Sequence, residues 1–356
     1  MHIYVFSDIE LGSGTVTDDF TEDELLQHTI EQLNPNGKAT LVFNGDTLDF
    51  MKVPYRKKYP VHITQDIALD KLKRIQKAHP TFFTVCRDWC AQGHRIVFIY
   101  GNHDFDLVFP KVQKQIVEYI GASYRDQIIF SGFEWVSGPV RIEHGSQLDN
   151  FFKVDPDKLL IEKARIASQP FLKLPWMYTA LYKHHIQLKE DYPLLEKVKP
   201  RDKLLKVLPL DFKRKYFWGS LRYVLYSFFI DQWRRWSDPL SHMHLKDLGY
   251  TLQKLMRNSY HLEVLKKAKR SLRRSKYSVL CIGHNHEAQK VWVGNKVILN
   301  TGNWRDEYFI ENNMLLPRPK TYADIYYENT VKHAELIYVP SSLPLLPLSR
   351  LYKDLE

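Results

Sequence analysis

The chain holds little cysteine, no long apolar run and no internal repeat. Only three cysteines, Cys86, Cys90 and Cys281, stand among its 356 residues. Cys86 and Cys90 are four apart inside a helical pattern, the wrong spacing for a zinc knuckle or a redox pair. So sparse and odd a set excludes a disulfide framework and is expected of a reduced, cytoplasmic protein. No uninterrupted apolar run reaches the ~18–20 residues that a spanning helix needs. The longest candidate, 216–230, is broken by Arg222. The opening residues show no basic stretch and no small-residue cleavage site, so no signal peptide is expected. Low-complexity tracts are missing as well.

What is present suits a large α/β protein. Hydrophobic residues make up 44% and aromatics 13% of the chain, which excludes wholesale disorder. The formal charge is +10, a statement about partners rather than fold. That charge is not evenly spread. Residues 151–277 carry 28 Lys and Arg against 12 Asp and Glu, so the rest of the chain is net acidic.

Short apolar strands alternate with helical patterns over the first 150 residues. Strands are expected at 2–7, 39–44 and 95–100, then at 128–130, 134–137 and 140–144. Between them, 22–33 and 63–92 have helical spacing, the second interrupted at Pro80. Buried strands alternating with helices predict an α/β fold. From 151 to 277 strand signals vanish, helical patterns dominate, and four tryptophans appear: Trp176, Trp218, Trp233 and Trp236. Strands resume at 278–282. Hairpins follow around Gly294-Asn295 and Glu328-Asn329-Thr330, and an irregular proline-rich tail comes after Val339.

Polar residues gather where the apolar strands end: Asp8 and Glu10, Asp46 and Asp49, Asn102, His103 and Asp104, His144, then His284 and His286. Ligands of open α/β sheets bind beyond the carboxyl ends of the strands. Carboxylate, imidazole and amide oxygen together suit Mn, Fe or Zn better than a thiolate site would. The set is large enough for two ions that share one carboxylate.

Ser7-Asp8-Ile9-Glu10, Gly45-Asp46-Thr47-Leu48-Asp49, Gly101-Asn102-His103-Asp104, His144-Gly145 and Gly283-His284-Asn285-His286 resemble the five ordered motifs of the calcineurin-like metallophosphoesterases. The resemblance covers 1–150 and 278–340. It implies a four-layer αββα sandwich of two mixed β-sheets, with 151–277 as a large helical insertion and 341–356 as a tail. It also implies two divalent metal ions, Mn favoured, with Mg, Fe or Zn as alternatives. Asp46 would bridge them. Asp8, Glu10 and His286 would complete one shell; Asn102, His144 and His284 would complete the other. Water activated between the ions would attack phosphorus. His103 would protonate the leaving group, oriented by Asp49, with Asp104 in support. Asn102 and His103 would face the substrate, and Asp149, in the loop after His144, is a further candidate to face it.

Glu10 departs from that pattern, because histidine usually stands two residues after the first aspartate. Three outcomes stay open: Glu10 ligates as a hard oxygen donor favouring Mn or Mg, the first seat is weakened, or it is lost. A narrower resemblance, carried by Asn102-His103-Asp104-Phe105, His284-Asn285-His286 and Asn300 to Asp306, is to the UDP-2,3-diacylglucosamine hydrolase branch. That branch has arginine where His103 stands and a shorter lid.

The insert decides the partner. Lys213-Arg214-Lys215-Tyr216-Phe217-Trp218 and Trp233-Arg234-Arg235-Trp236 mix cations with aromatics, which suits an anionic membrane surface. It also suits single-stranded nucleic acid. The leading expectation is a phosphodiesterase or pyrophosphatase acting on an anionic lipid or lipid-linked nucleotide, peripheral at the inner membrane face. A nuclease and a non-catalytic binding protein are the alternatives. Asp18 and Asp19 are expected to be solvated loop acids.

Overall fold

The computed structural model describes residues 1–35, 37–162, 168–241, 249 and 260–353. It is a mixed α/β structure with several mixed sheets. The first sheet has six strands. β1 (His2–Phe6), β2 (Ala39–Asn44), β3 (Arg95–Ile99) and β4 (Ile128–Phe130) run parallel in that order. β15 (Lys320–Tyr327) pairs antiparallel with β1 and carries β16 (Val331–Val339) at the edge. A second sheet of five strands runs β11-β12-β10-β6-β5. There β10 (Val279–Ile282) lies parallel to both β6 (Val140–Glu143) and β12 (Lys296–Thr301). β5 (Glu134–Ser137) and β11 (Ala288–Val293) close its edges antiparallel.

Successive strand residues point to opposite faces, and both faces of the first sheet are apolar. Ile3 and Val5 of β1 join Val42, Val97 and Ile99 in one buried cluster with Val140, Ile142, Val279, Cys281 and Leu299 of the second sheet. The two sheets therefore share a core. Tyr4 and Phe6 face the other way, with Phe43 and Phe98, into a cluster with four helices. These are α1 (Asp23–Glu31), α2 (Gln65–Ala78), α3 (Pro80–Ala91) and α4 (Pro110–Ile120). The break between α2 and α3 falls at His79, just before Pro80, which lacks the N–H that a continuous helix would use. The outer face of the second sheet is covered by the helix Tyr260–Arg274, through Val264, Ala268 and Leu272.

Between the two halves lie α5 (Trp176–Asp191), α6 (Pro193–Lys197), α7 (Arg201–Val207) and the 25-residue α8 (Leu210–Arg234). The expectation that strands vanish here is corrected. β7 (Leu160–Ile161) pairs with β8 (Phe171–Leu172), and β9 (Val198–Lys199) pairs with β13 (Tyr308–Glu311). The tail is not irregular either. β17 (Leu346–Pro347) pairs with β14 (Met314–Pro317), and the helix Ser349–Lys353 follows. Leu348 and Leu351 are apolar anchors there, buried against Leu204, Leu208 and Leu315. No helix among the described residues is long and apolar enough to cross a membrane.

Candidate metal centre

Each strand that leads to the site ends one to three residues before a polar group. β1 delivers Asp8, β2 delivers Asp46, β6 delivers His144 and β10 delivers His284, while β3 is followed by Asn102. Asp8, Glu10, Asp46, His284 and His286 all adopt positive φ, between 49° and 71°. Such backbone costs on the order of 1–3 kcal/mol per residue and gathers at functional sites. Two glycines make room. A Cβ on Gly45 would stand 2.5 Å from the His144 ring, and one on Gly283 2.5 Å from Asp8 Oδ2. The site can be this dense only because both positions lack side chains.

Asp46, His144 and His284 offer ligand atoms that all lie within 4.8 Å of one another. His144 donates Nδ1–H to the carbonyl of Asn44 at 2.8 Å, which turns Nε2 toward the carboxylates. That atom stands 3.2 Å from Asp46 Oδ2 and 3.9 Å from Asp8 Oδ1. His144 Nε2 and Asn102 Oδ1 are both buried without a hydrogen-bond partner. Buried polar atoms without partners are uncommon. Here they point to a cation, and the nitrogen and oxygen donors fit one.

Protonation has the same physical cause. Burial opposes charge on His144, but Asp46 and Asp8 outweigh it and push its pKa up to about 10. Burial likewise works against ionised Asp46, yet His144 and His103 hold it below the usual carboxylate range. A divalent ion would take over the role of that imidazole proton. His286 Nε2 stands 3.4 Å from Asp8 Oδ1 and 3.7 Å from Glu10 Oε1, and its Nδ1 is held by Glu307 at 2.8 Å. His284 Nε2 meets Asp149 Oδ2 at 3.2 Å, which places Asp149 beside His284.

The proposed acid stands beside this group. His103 Nδ1 lies 3.0 Å from Asp49 Oδ1, its Nε2 is 4.0 Å from Asp46 Oδ2, and its backbone N–H donates to Asp46 Oδ1. Burial opposes its charge, but Asp49, Asp46 and Glu10 raise its pKa to about 10. Asp104 does not face the cluster. Its carboxylate accepts from the N–H groups of Gly101 and Thr47, tying the Asn102 loop to the Asp46 loop. Glu10, Asp49 and His103 form a second group with ligand atoms inside 4.8 Å.

The surroundings of Glu10 are not legible in its own motif. Lys52 Nζ reaches Glu10 Oε2 at 2.5 Å, Asp19 at 2.7 Å and Asp49 at 2.9 Å. Arg305 Nη1 donates to both Glu10 oxygens at 2.9 Å, and its Nη2 reaches Asp19 at 2.9 Å. Asp19 is fully buried and Asp18 nearly so, which corrects the expectation of solvated loop acids. Asp18 caps Gly12, Gly14 and Phe20, while Asp19 also holds Lys189 of α5. A lysine three residues after Asp49 and the Trp-Arg-Asp run at 304–306 were the available signals for this network.

The insert touches the site directly. Tyr178 of α5 donates its hydroxyl to the carbonyl of Asn102 at 2.7 Å, and Tyr182 donates to that of Met51. The basic helix α8 leaves Trp218 and Phe229 exposed, and Trp233 and Trp236, at its end, are 83% and 80% exposed.

No protein-family model and no curated protein matches the chain. Among solved structures, one that it resembles is a Staphylococcus aureus protein provisionally named a 5'-nucleotidase, in complex with alpha-ketoglutarate. It is 11% identical with a TM-score of 0.33; the match covers 99% of this chain but only 57% of that one. Another is phosphopantetheinyl hydrolase (PptH) from Mycobacterium tuberculosis, 12% identical with a TM-score of 0.26, covering 84% of this chain and 87% of that one. Similarity this slight leaves the functional reading to the chain's own residues.

Proposed function

We propose that the protein is a metal-dependent phosphoesterase of the calcineurin-like class, built as an αββα sandwich with 151–277 inserted. One observation carries the reading. Asn102 Oδ1 and His144 Nε2 are buried without partners at the same point where Asp46 and His284 converge. Asp46, Asn102, His144 and His284 would hold one divalent ion, and Asp8, Glu10, Asp46 and His286 a second, with manganese the favoured metal.

When bound, such ions lower the pKa of water and neutralise phosphoryl oxygens. The chain's residues do the rest. Asn44 fixes the His144 tautomer, so that Nε2 faces the cation. Glu307 does the same for His286. Asp49 holds the protonated His103 ring with Nε2 turned toward Asp46, where it can deliver a proton to the departing oxygen. The Tyr178 hydroxyl fixes the Asn102 backbone, and so its side chain, beside His103.

The substrate class follows from the insert. Exposed Trp218, Phe229, Trp233 and Trp236 share α8 and its end with Lys213, Arg214, Lys215, Arg222, Arg234 and Arg235. Rings at headgroup level with cations among them suit an anionic bilayer. This supports a phosphodiester or pyrophosphate carried by an anionic lipid, met at the inner face of the membrane.

The test is hydrolysis of bis-p-nitrophenyl phosphate by chelator-stripped protein, with Mn, Mg or Zn restored. Turnover that returns with metal and is missing from Asp46→Asn supports the reading. A folded protein inert with every metal, on this ester and on lipid pyrophosphates, contradicts it and favours a binding protein.

A further inference from the structure

Resting on that reading, we infer that the two cation seats are unequal: Lys52 and Arg305 hold Glu10 as their own counter-ion, so the Asp46–Asn102–His144–His284 seat fills first and tightly, and the Asp8–Glu10–His286 seat fills late and weakly. The argument starts from lone pairs. An ionised carboxylate has about four acceptor positions. Three of those on Glu10 are already taken, two by Arg305 Nη1 and one by Lys52 Nζ. A dication using the remaining position would stand beside an ammonium and a guanidinium, both within 3 Å of the same carboxylate. Like charges this close, and this far from water, repel strongly.

Neither cation can easily swing aside. The backbone N–H of Lys52 donates to Asp49, and its ammonium is shared among Asp19, Asp49 and Glu10. The N–H groups of Trp304 and Arg305 both donate to the carbonyl of Asp8 at 2.9 Å, and Lys320 holds the carbonyl of Arg305. Arg305 is thus fixed to the end of β1, the strand that presents Asp8. The other seat faces no fixed cation, since the proton on its imidazole leaves when an ion binds. Among the described residues, no lysine or arginine is paired with Asp46, Asn102, His144 or His284, and two donor atoms there wait unpartnered.

The arrangement also explains how glutamate can stand at position 10. A histidine there would leave Lys52 and Arg305 facing a neutral ring, whereas Glu10 satisfies both. The carboxylate works as an internal anchor first and as a ligand only when an ion displaces part of its cation shell.

Equilibrium dialysis against graded Mn²⁺, with bound metal counted by elemental analysis, reads this without any turnover. The wild-type chain should bind one ion per chain, then a second at a concentration about tenfold or more higher. His284→Ala should remove the tight step, and Glu10→Gln should leave it in place. Lys52→Met should narrow the gap between the steps about fivefold or more, because a like charge is removed from beside the weak seat. Two ions bound with a single affinity by the wild type would overturn the inference and leave the phosphoesterase reading standing. No binding by folded protein overturns both. The wild-type curve decides even if Lys52→Met fails to fold.

Discussion

Replacing Lys52 with methionine should destabilise the fold sharply, and by a pH-dependent amount. The side chain is 3% exposed and meets three carboxylates at 2.5, 2.7 and 2.9 Å. At an effective dielectric near 20, each contact is worth about 6 kcal/mol of gross attraction. Desolvation of the ammonium cancels most of it, but removing one partner leaves buried charge uncompensated, at a net cost of about 3–5 kcal/mol. Against a typical stability of roughly 5–15 kcal/mol that is a large loss, and it should lower the melting temperature by roughly 5–10 °C. Burial opposes ionised Glu10, yet Arg305 and Lys52 hold its carboxyl well below the ordinary value of 4.5. A depressed carboxylate stabilises above its unfolded pKa and loses that contribution as pH falls. Lys52 lies well above its ordinary 10.5, so its contribution is complete below that value. The full penalty therefore applies between about pH 5 and 10, and the gap between wild type and variant should narrow toward pH 4, where the freed carboxylates take up protons. Thermal melts in chelator at pH 8 and pH 4.5 measure it. A loss under about 1 kcal/mol at pH 8, or a gap that does not change with pH, would refute the charge argument.

Other outcomes follow from the same geometry. His103→Ala should cut turnover of esters with poor leaving groups by about 100-fold or more and spare those with good ones, since only the former need a proton; equal losses on both would remove His103 from that role. Trp304→Ala should cost about 3–5 kcal/mol in chemical denaturation, because the indole is fully buried against Phe6 and donates to the Thr321 carbonyl at 2.8 Å. Trp233→Ser with Trp236→Ser should weaken sedimentation with anionic vesicles several-fold and leave the melting temperature unchanged within about 1 °C, both rings being exposed; unchanged binding would detach the lipid reading from α8. Salt-sensitive binding to single-stranded polynucleotide that grows with chain length, in place of vesicle binding, would favour the nuclease.

Sequence patterning reaches the central strands because each is a continuous apolar run that stops at a polar motif. Ala39–Asn44 and Arg95–Ile99 are bounded by their own chemistry, with Gly45-Asp46 and Gly101-Asn102 just beyond. It fails where pairing is remote. β9 and β17 are two residues long and are held in place only by the distant hairpin of β13 and β14. Nothing local marks those two as strands, whereas β13 and β14 meet across the two-residue turn Asn312-Asn313. The site divides the same way. Its candidate ligands announce themselves through motif spacing, but Lys52 and Arg305 acquire meaning only when the fold brings residues 10, 19, 52 and 305 within 3 Å. Asp19 resembles any loop acid until Lys52, Lys189 and Arg305 close on it. The left-handed backbone at Asp8, Asp46 and His284 uses residue types that adopt it more readily than most, but only a few per cent of non-glycine residues do so, and composition does not say which.

The same network gives the insert a role at the site. α5 is fastened to the floor of the site by Tyr178 at Asn102, Tyr182 at Met51 and Lys189 at Asp19. α8 is fastened to α5 in turn, through Trp176 donating to Asp231 at 2.6 Å and the His184 ring stacked on Tyr223. The outward aromatic stripe is therefore joined to Asn102 and Asp19 by a short run of specific contacts rather than by a free linker. A surface that engages that stripe would be held at a fixed offset from the cation seats, and a substrate embedded in it would have its phosphate positioned by the protein's own packing. Lys189 also ties the insert to the carboxylate that neutralises Lys52 and Arg305. Withdrawing α5 would take Lys189 from Asp19, leave that carboxylate wholly to Lys52 and Arg305, and so loosen their hold on Glu10.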